Sequence, residues 1–401
     1  MTTTAADGAT HITSGGTPQR FARTEPPNAR ATWAQIDLDA IASNVATLKA
    51  QAAAPGLMAV VKANGYGHGA VPSARAALVG GADWLAVALA EEGQELRAAG
   101  IDAPILVMTE PPPTAVAALL DNDLIPAVYT PEFVRALDEA ALARGGEPLA
   151  VHLKLDTGMR RVGVPQADWE DALRLVRDAG ALRLQAIWSH FAVADEPFNP
   201  FITHQAEEFA RGLALAESLG VSYELAHLCN SAGTLHLHDH HYDMVRPGLA
   251  IYGLEPAPGL AAQTRLTPAL SWWTRLSLVK RLAKGERVSY GLRWSAPQET
   301  TVGTIPAGYA DGVTRALSNI GEVVARGRRL PIVGTVCMDQ FMIDGGDMPL
   351  APGDDVALIG REGDAEVTAD DWARWLGTIN YEIVCGLGQR VPRVYIGDVQ
   401  W

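Results

Sequence analysis

The sequence predicts an α/β protein in which an N-terminal (β/α)8 barrel of the TIM type precedes a C-terminal, mainly-β domain. From Leu57 to Arg246, short β-branched runs alternate with helical patterns, which is typical of βα units on a parallel sheet. After about Thr267, short alternating runs separated by Gly and Pro replace that rhythm. The chain has 401 residues, more than one compact core usually holds, so a second domain is expected.

Eight strand candidates lie in the first region, and eight parallel strands are the number that closes such a barrel. In chain order they are "LMAVV" 57–61, "WLAVA" 84–88, "PILVM" 104–108, "IPAVY" 125–129, "LAVHLKL" 149–155, "LQAIWS" 184–189, "YELAHL" 223–228 and "YDMVR" 242–246.

The segments between these strands carry helical patterns. In "DWEDALRLVRDAG" apolar residues recur at i, i+3, i+4 and i+7 from Trp169, with Asp168 at the predicted N-cap and Gly180 at the predicted stop. In "PEFVRALDEAALAR" Pro131 opens the helix and Phe133 begins an apolar stripe. Both helices are expected on the outside of the barrel.

The domain boundaries follow from these changes in pattern. Residues 1–31, rich in Thr, Ala, Gly and Pro, are interpreted as a flexible extension; a transit peptide is the competing interpretation, which Asp7 and Glu25 weaken. Residues 32–266 form the barrel domain and residues 267–401 the β domain. The stretch "TWAQIDL" 32–38 predicts a strand that could pair with the later domain.

Composition narrows the class of function. The hydrophobic content of 48% and the absence of a long apolar run exclude a membrane span, which needs about 18 such residues. The net charge of −14 repels a phosphate backbone, which excludes nucleic acid as a partner. Cys229, Cys337 and Cys385 match neither a disulfide framework nor a zinc site, which favours a reducing, cytoplasmic compartment.

The loops after the barrel strands carry the candidate site, because barrel enzymes build their active sites there. These loops supply Lys62 after the first strand, Arg161 after the fifth, His190 after the sixth, Asn230 and Ser231 after the seventh, and Arg246 and Gly248 after the eighth. Each of these residues taken alone is weak evidence for a functional site. Together they suggest a partly desolvated lysine that forms a Schiff base with an aldehyde, and backbone amides of Gly248 and Leu249 that suit a phosphate. A lysine beside a phosphate site suggests pyridoxal phosphate.

Several separated motifs resemble those of the alanine racemases, a family of pyridoxal-phosphate enzymes with a barrel and a C-terminal β domain. The motifs are "AVVKANGYGHG", "LKLDTGMRRVG", "SHFAVADE", "HLCNSAGTL", "VRPGLAIYG", "VSYG", "IPAGYADG", "GTVCMDQ", "INYEI" and "RVPRVY". The resemblance covers nearly the whole chain from about Thr32. It implies an isomerase that interconverts L- and D-alanine on an imine between substrate and pyridoxal 5'-phosphate, supplies D-alanine for cell-wall peptidoglycan, and works as a head-to-tail homodimer with shared active sites.

The resemblance also implies roles for single residues. Lys62 holds the cofactor and is the base on one face of the substrate, and Tyr290 of the partner subunit is the acid/base on the other face. Two opposed groups are needed because the proton leaves one face of Cα and returns to the opposite face. The implied cofactor-binding set is Lys62, Tyr66, Arg161, His190, Asn230, Ser231, Arg246, Gly248, Leu249 and Tyr381.

The implied substrate-binding set consists of Arg161, Met338, Asp339 and Tyr309. His227 is implied to support Arg246, which faces the cofactor ring nitrogen, and Lys154 to carry a carbamate. The family spacing "DTGM-x-R" selects Arg161 over its neighbour Arg160. No metal is implied.

Three alternatives stay open at this point. A non-catalytic pyridoxal-phosphate carrier shares the barrel and the lysine loop but usually lacks a second domain. A barrel-type amino-acid decarboxylase typically pairs the ring nitrogen with an acidic residue instead of Arg246. A broader racemase would act on serine, lysine or arginine, although Tyr309, Tyr381 and Met338 favour a small side chain.

Overall fold

Residues 31–399 are described by the computed structural model of the protein, and they form a closed barrel followed by a mainly-β domain. The predicted fold class is confirmed. The extension predicted over residues 1–31 lies outside the described residues, apart from its last position. No helix in the described range is long and apolar enough to cross a membrane.

The described chain starts with strand β1 (Trp33–Asp37) and helix α1 (Leu38–Gln51), and the barrel follows. The eight barrel strands are β2 (Gly56–Val60), β3 (Trp84–Val87), β4 (Ile105–Val107), β5 (Ile125–Val128), β6 (Leu149–Lys154), β7 (Leu182–Trp188), β8 (Leu225–His227) and β9 (Met244–Val245). Each strand pairs in parallel with the next, and β9 closes the ring by pairing with β2. The strands are short apolar runs because both of their faces are buried.

The helices of this region are α2 (Lys62–Tyr66), α3 (Ala70–Val79), α4 (Ala90–Ala98), α5 (Val116–Asp121), α6 (Pro131–Arg144), α7 (Trp169–Asp178), α8 (Phe201–Ser218) and α9 (Ser231–His236). Helix α6 begins at Pro131 as predicted, and the Thr130 hydroxyl caps it by accepting from the Phe133 N–H at 3.3 Å. On α7, Asp168 occupies the N-cap position as predicted, although its side chain makes no capping bond. The helix ends at Asp178 with extended Ala179 as its C-cap, directly before the predicted stop at Gly180.

The C-terminal domain contains strands β10 (Leu270–Arg275), β11 (Leu278–Leu282), β12 (Arg287–Val288), β13 (Trp294–Ser295), β14 (Thr300–Ile305), β15 (Glu322–Ala325), β16 (Arg328–Val333), β17 (Phe341–Gly346), β18 (Asp355–Glu362), β19 (Ala365–Val367) and β20 (Arg393–Ile396), with helices α10 (Ala369–Leu376) and α11 (Asn380–Cys385). Nine of these strands form a ten-stranded sheet with β1, in the order β11-β14-β17-β16-β15-β18-β10-β1-β20, with β19 paired to β18. Strands β12 and β13 form a separate hairpin.

Strand β1 joins the C-terminal sheet although it precedes the barrel in sequence. It pairs antiparallel with β10, where Trp33 lies opposite Trp273, and parallel with β20, where Ala34 lies opposite Arg393. The indole rings of Trp33 and Trp272 are buried there. This pairing joins the start of the described chain to the second domain. In sequence, the whole barrel lies between β1 and its partners β10 and β20.

Contact between the two domains also shapes the barrel mouth. A β-carbon placed on Gly67 would lie 2.2 Å from the Val384 carbonyl oxygen, so the loop after β2 packs directly on α11. The same helix carries Tyr381 and Cys385, which reach the barrel cavity. The mouth of the barrel is therefore completed by the second domain.

Candidate active site

A cavity of about 690 Å³ lies at the C-terminal ends of the barrel strands. It is lined by Val60, Lys62, Ala63, Tyr66, Ala88, Met108, Thr109, Lys154, Arg161, Val162, Trp188, His190, Asn230, Ser231, Arg246, Gly248, Tyr381 and Cys385. Ten residues of the predicted site are in this set. Leu249 follows Gly248, is fully buried, and begins a 3-10 helix over Leu249–Tyr252.

Lys62 follows β2 directly and projects from the first residue of α2 into the cavity. Burial lowers the pKa of Lys62, the positive charge of Arg161 lowers it further, and the Glu92 carboxylate acts in the opposite direction. A lowered pKa increases the fraction of neutral amine, which is the nucleophilic form. Lys62 is therefore suited to forming an imine.

Arg246 forms the floor of the cavity and is held by a buried hydrogen-bond network. Its Nη1 lies 2.8 Å from His227 Nδ1, and its Nη2 lies 2.8 Å from the Ser189 carbonyl oxygen and 3.3 Å from His190 Nδ1. Burial lowers the pKa of Arg246 to about 10, so the guanidinium stays protonated at neutral pH. Burial, followed by the charge of Arg246, holds the pKa values of His190 and His227 well below their usual range. Both imidazoles are therefore neutral.

The network continues into the barrel interior through a residue that the sequence analysis missed. His227 Nε2 lies 3.0 Å from His152 Nδ1, and His152 Nε2 lies 3.4 Å from Gln185 Oε1. Burial lowers the pKa of His152 to about 3. His152 and Lys154 lie two positions apart on β6, so their side chains face the same side of the strand. This spacing could have pointed to His152.

A group of hydroxyls and backbone amides also lines the cavity. Ser231 Oγ accepts hydrogen bonds from the Gly248 N–H at 2.8 Å and the Ala250 N–H at 3.3 Å, which leaves the serine proton available to a ligand. A β-carbon on Gly248 would lie 2.4 Å from the Tyr66 hydroxyl oxygen, so only glycine allows this approach. Burial raises the pKa values of Tyr66 and Tyr381, the latter to about 12, so both phenols are protonated donors.

Lys154 is buried in the wall of the cavity. Its Nζ lies 4.2 Å from the centroid of the Trp188 ring, and the guanidinium carbon of Arg246 lies 4.8 Å from the same ring. Burial, then the charges of Arg246 and Arg161, lower the pKa of Lys154 to about 7. No carboxylate within the described part of the chain forms an ion pair with it. Trp188, which no motif had indicated, thus contacts both basic side chains with its aromatic ring.

The loop after β6 directs the side chains of two adjacent arginines, Arg160 and Arg161, to different places. Arg161 lines the main cavity, whereas Arg160 lines only the neighbouring cavity formed by residues 156–166 and α8. Arg160 adopts a left-handed φ of 54°, and its N–H donates to Asp156 Oδ1 at 3.0 Å. The turn thus directs the two side chains to different places, and only Arg161 reaches the site.

Four predicted site residues lie on the C-terminal domain, outside this cavity. Tyr290 is 76% exposed, Met338 53% and Tyr309 44%. Asp339 pairs with Arg390, its carboxylate oxygen 2.8 Å from Nη2. A single chain therefore does not bring these four residues to Lys62.

The cavity suits pyridoxal phosphate on three observations. Lys62 supplies the amine, the Ser231 hydroxyl supplies a donor for a phosphate, and Arg246 Nε–H has no acceptor among residues 31–399 although both Nη atoms make hydrogen bonds. These groups sit in one cavity, as a ring with an aldehyde, a phosphate and a ring nitrogen requires.

Comparison with protein families gives two matches that together span most of the chain. Residues 36–256 match the model described as "Alanine racemase, N-terminal domain", and residues 269–395 match "Alanine racemase, C-terminal domain". The alanine racemase of Symbiobacterium thermophilum is 47% identical over 370 residues, covering 92% of this chain and 98% of that protein. The alanine racemase of Thermobifida fusca is 45% identical with the same coverage.

Solved structures agree with these matches. The crystal structure of alanine racemase from D-cycloserine-producing Streptomyces lavendulae superposes with a TM-score of 0.89 at 42% identity, covering 92% of this chain and 98% of that one. The alanine racemase of Bacillus anthracis with bound L-Ala-P superposes with a TM-score of 0.87 at 37% identity, covering 94% and 97%.

Proposed function

The chain belongs to the alanine racemase family and interconverts L- and D-alanine, and we propose that it does so with pyridoxal 5'-phosphate bound at the barrel mouth through Lys62. The observation that carries this proposal is the convergence of Lys62, the unused Arg246 Nε–H and the Ser231 hydroxyl in one cavity. When bound, the cofactor withdraws electrons from the Cα of an attached amino acid and so acidifies its proton.

In the proposed mechanism Lys62 exchanges a proton on one face of Cα, and Tyr290 of the partner subunit does so on the other. The lowered pKa of Lys62 increases the fraction of neutral amine, which is the form that accepts a proton. Arg246, which remains a donor, holds the ring nitrogen by a hydrogen bond without giving it a proton. Asn230 caps α9 by accepting from the Gly233 N–H at 3.0 Å and so positions Ser231.

His190 is proposed to link Arg246 to the partner subunit's Tyr290. Because Arg246 donates to His190 Nδ1, the proton of this neutral imidazole sits on Nε2. Asn230 Nδ2 lies 3.5 Å from that Nε2, and two donors facing each other make no hydrogen bond. The His190 Nε2–H is thus available to a phenol oxygen at the mouth.

The remaining roles concern the cofactor phosphate and the substrate. Tyr66, Ser231, Gly248, Leu249 and Tyr381 are proposed to bind the phosphate, and Arg161 the ring hydroxyl and the substrate carboxylate. A carbamate on Lys154 would replace a buried cation by an anion able to orient Arg161, and a neutral amine with a pKa of about 7 reacts with carbon dioxide at physiological pH.

We infer a head-to-tail homodimer with shared sites. Its support is that Tyr290, Tyr309 and Met338 are exposed on the C-terminal domain and lie away from their own chain's cavity. In the proposed dimer, Tyr290, Tyr309, Met338 and Asp339 of the partner subunit complete the site. Exposed apolar side chains of this kind are typical of an interface.

Two alternative activities are a decarboxylase and a broader amino-acid racemase. No carboxylate within residues 31–399 lines the cavity, which disfavours a decarboxylase that pairs an acid with the ring nitrogen. A broader racemase, with serine or a basic amino acid as a further substrate, is the alternative that the assay below tests.

We also propose a cytoplasmic location and a role in peptidoglycan supply. The free state of all three cysteines supports a reducing compartment.

The test is polarimetry of the purified protein with pyridoxal phosphate and L-alanine. We expect the optical rotation to fall to zero while the alanine concentration stays constant. Lys62→Ala should lose both this activity and the visible Schiff-base band, whereas Tyr290→Phe should keep the band and lose the activity. A Tyr290→Phe enzyme that racemises at the normal rate would contradict the two-base assignment.

A further inference from the structure

The backbone after Lys62 makes one turn in the left-handed conformation. Ala63, Asn64 and Tyr66 each have φ of 52°, and Gly65 between them has φ of 61°. Residues with a β-carbon incur a steric cost at each such position, and they occur there as single residues rather than in runs. Three in one turn, directly beside the proposed cofactor lysine, must be held by the surroundings.

One carboxylate from the neighbouring βα unit holds the beginning of this turn. Glu92 Oε1 accepts the Ala63 N–H at 2.6 Å, and its Oε2 accepts the N–H groups of Ala88 at 2.8 Å and Leu89 at 3.1 Å. The side chain thus joins the residue after Lys62 to the start of α4. All three bonds are charge-assisted, which makes them stronger than bonds to a neutral acceptor.

Other groups hold the far end of the turn. Asn64 Oδ1 accepts the Ala70 N–H at 2.9 Å at the start of α3. His68 Nδ1 lies 3.0 Å from the Gly65 carbonyl oxygen and 2.9 Å from that of Tyr66, so the ring donates from Nδ1. Among these side-chain anchors Glu92 is the one that binds Ala63, the residue next to Lys62 in sequence.

Glu92 is also the carboxylate that acts on the charge of Lys62. Its negative charge raises the pKa of Lys62, against the lowering by burial and by Arg161. Glu92 makes no ion pair with any lysine or arginine of the described chain, so its charge is not cancelled by another side chain. The same side chain therefore influences both the direction and the protonation of the lysine.

We propose that Glu92 is a positioning residue for the racemase reaction, which holds the left-handed turn so that Lys62 points into the cavity and Tyr66 reaches Gly248. This proposal rests on the proposed function of Lys62. Glu92 does not line the cavity. It acts through the backbone of Ala63.

The test compares Glu92→Gln with Glu91→Gln. Glu91 is the exposed neighbour in the first turn of α4, so the control removes the same charge and leaves the turn unchanged. In Glu92→Gln one oxygen becomes an NH2 group, which faces N–H donors and cannot accept from them. One of the two links, to Ala63 or to α4, is therefore lost.

The first readout needs no loaded enzyme. Hydrogen exchange of the apoprotein, followed by mass spectrometry, should show amides of the 62–67 segment exchanging about ten-fold faster in Glu92→Gln, and at the wild-type rate in Glu91→Gln. The second readout is formation of the Schiff-base band after pyridoxal phosphate is added. Its pH profile should move to lower pH in Glu92→Gln, because the lysine loses an anionic neighbour.

The third readout is steady-state racemisation, in which we expect kcat to fall about ten-fold or more in Glu92→Gln with KM for alanine changed less than two-fold. Wild-type exchange, band profile and kcat in Glu92→Gln would overturn the proposal, as would faster exchange with an unchanged kcat. If Glu92→Gln fails to fold, Glu92→Asp keeps the charge but is one methylene shorter, and it should reduce kcat with a smaller shift of the band profile. A wild-type protein without a Schiff-base band would refute the proposed function instead, and the exchange measurement would still decide the role of Glu92.

Discussion

Mixing two inactive variants tests whether each active site is shared between subunits. The variants are Lys62→Ala, which lacks one proposed base, and Tyr290→Phe, which lacks the other. In the structure Lys62 lies in the barrel cavity, while Tyr290 is exposed on the C-terminal domain outside that cavity. If the two bases of a site come from different subunits, a hybrid dimer contains one site with both bases intact and one site with neither.

The magnitude follows from the two-fold symmetry of the dimer. Random exchange at equal concentrations makes about half of the dimers hybrids, and one of the two sites in each hybrid is complete. About 25% of the wild-type activity per site should therefore return. A site built within one chain gives no recovery, because every chain in the mixture carries one of the two substitutions.

A reciprocal mixture supplies the control. Wild-type chains are mixed in equal amount with chains carrying both Lys62→Ala and Tyr290→Phe. With shared sites, every hybrid is inactive, so exchange should lower the total activity to about half of its starting value. With sites inside one chain, the activity stays constant during exchange.

The assay is polarimetry after incubation under conditions that allow subunit exchange, and exchange is verified separately by native mass spectrometry of chains with different tags. Proven exchange without recovery in the first mixture, and without loss in the second, would refute the shared-site proposal. It would leave the assignment of pyridoxal phosphate to Lys62 intact.

Three further predictions concern single residues of the cavity. Because the pKa of Lys154 is lowered to about 7, its amine is neutral above that pH; with 13C-bicarbonate, a carbamate NMR signal should appear at pH 8, decline below pH 7 and be absent in Lys154→Ala. Ser231→Ala removes a donor to the proposed phosphate and should weaken cofactor binding about ten-fold in a fluorescence titration, whereas Ser218→Ala, at an exposed serine, should not. His152→Leu leaves the His227 N–H without its acceptor and should lower the free energy of unfolding by about 1–3 kcal/mol in denaturant titrations; an unchanged value would contradict the network.

The barrel and the residues at its mouth could be predicted because each strand end is a local feature of the sequence. Lys62, His190 and Arg246 follow their strands directly, and parallel strands in a closed barrel bring such positions to one end. The predicted pattern of eight strands was therefore sufficient to group them. The pattern predicted the helix start at Pro131 equally well, because proline at the first turn is a local signal.

Features that depend on long-range packing were missed. Trp188 is a strand residue like many others in sequence, and only the closed barrel places its ring against Lys154 and Arg246. The bond from Ala63 to Glu92 spans two βα units, and no sequence pattern indicates a left-handed turn with three non-glycine residues. On α7, Asp168 takes the predicted N-cap position, but its side chain makes no capping bond, which the local sequence does not reveal.

The chain of hydrogen bonds below the cavity has only one possible direction. An arginine side chain can donate but cannot accept, so His227 Nδ1 must accept from Arg246, and the proton of His227 sits on Nε2. That proton points at His152 Nδ1, so the proton of His152 sits on its own Nε2 and points at Gln185 Oε1. Burial is the largest cause of the lowered pKa values of His152 and His227, and the charge of Arg246 lowers both further. Protonating either histidine would also place two donors face to face. The charge therefore stays on Arg246, and the group proposed to face the ring nitrogen remains a hydrogen-bond donor across the neutral pH range.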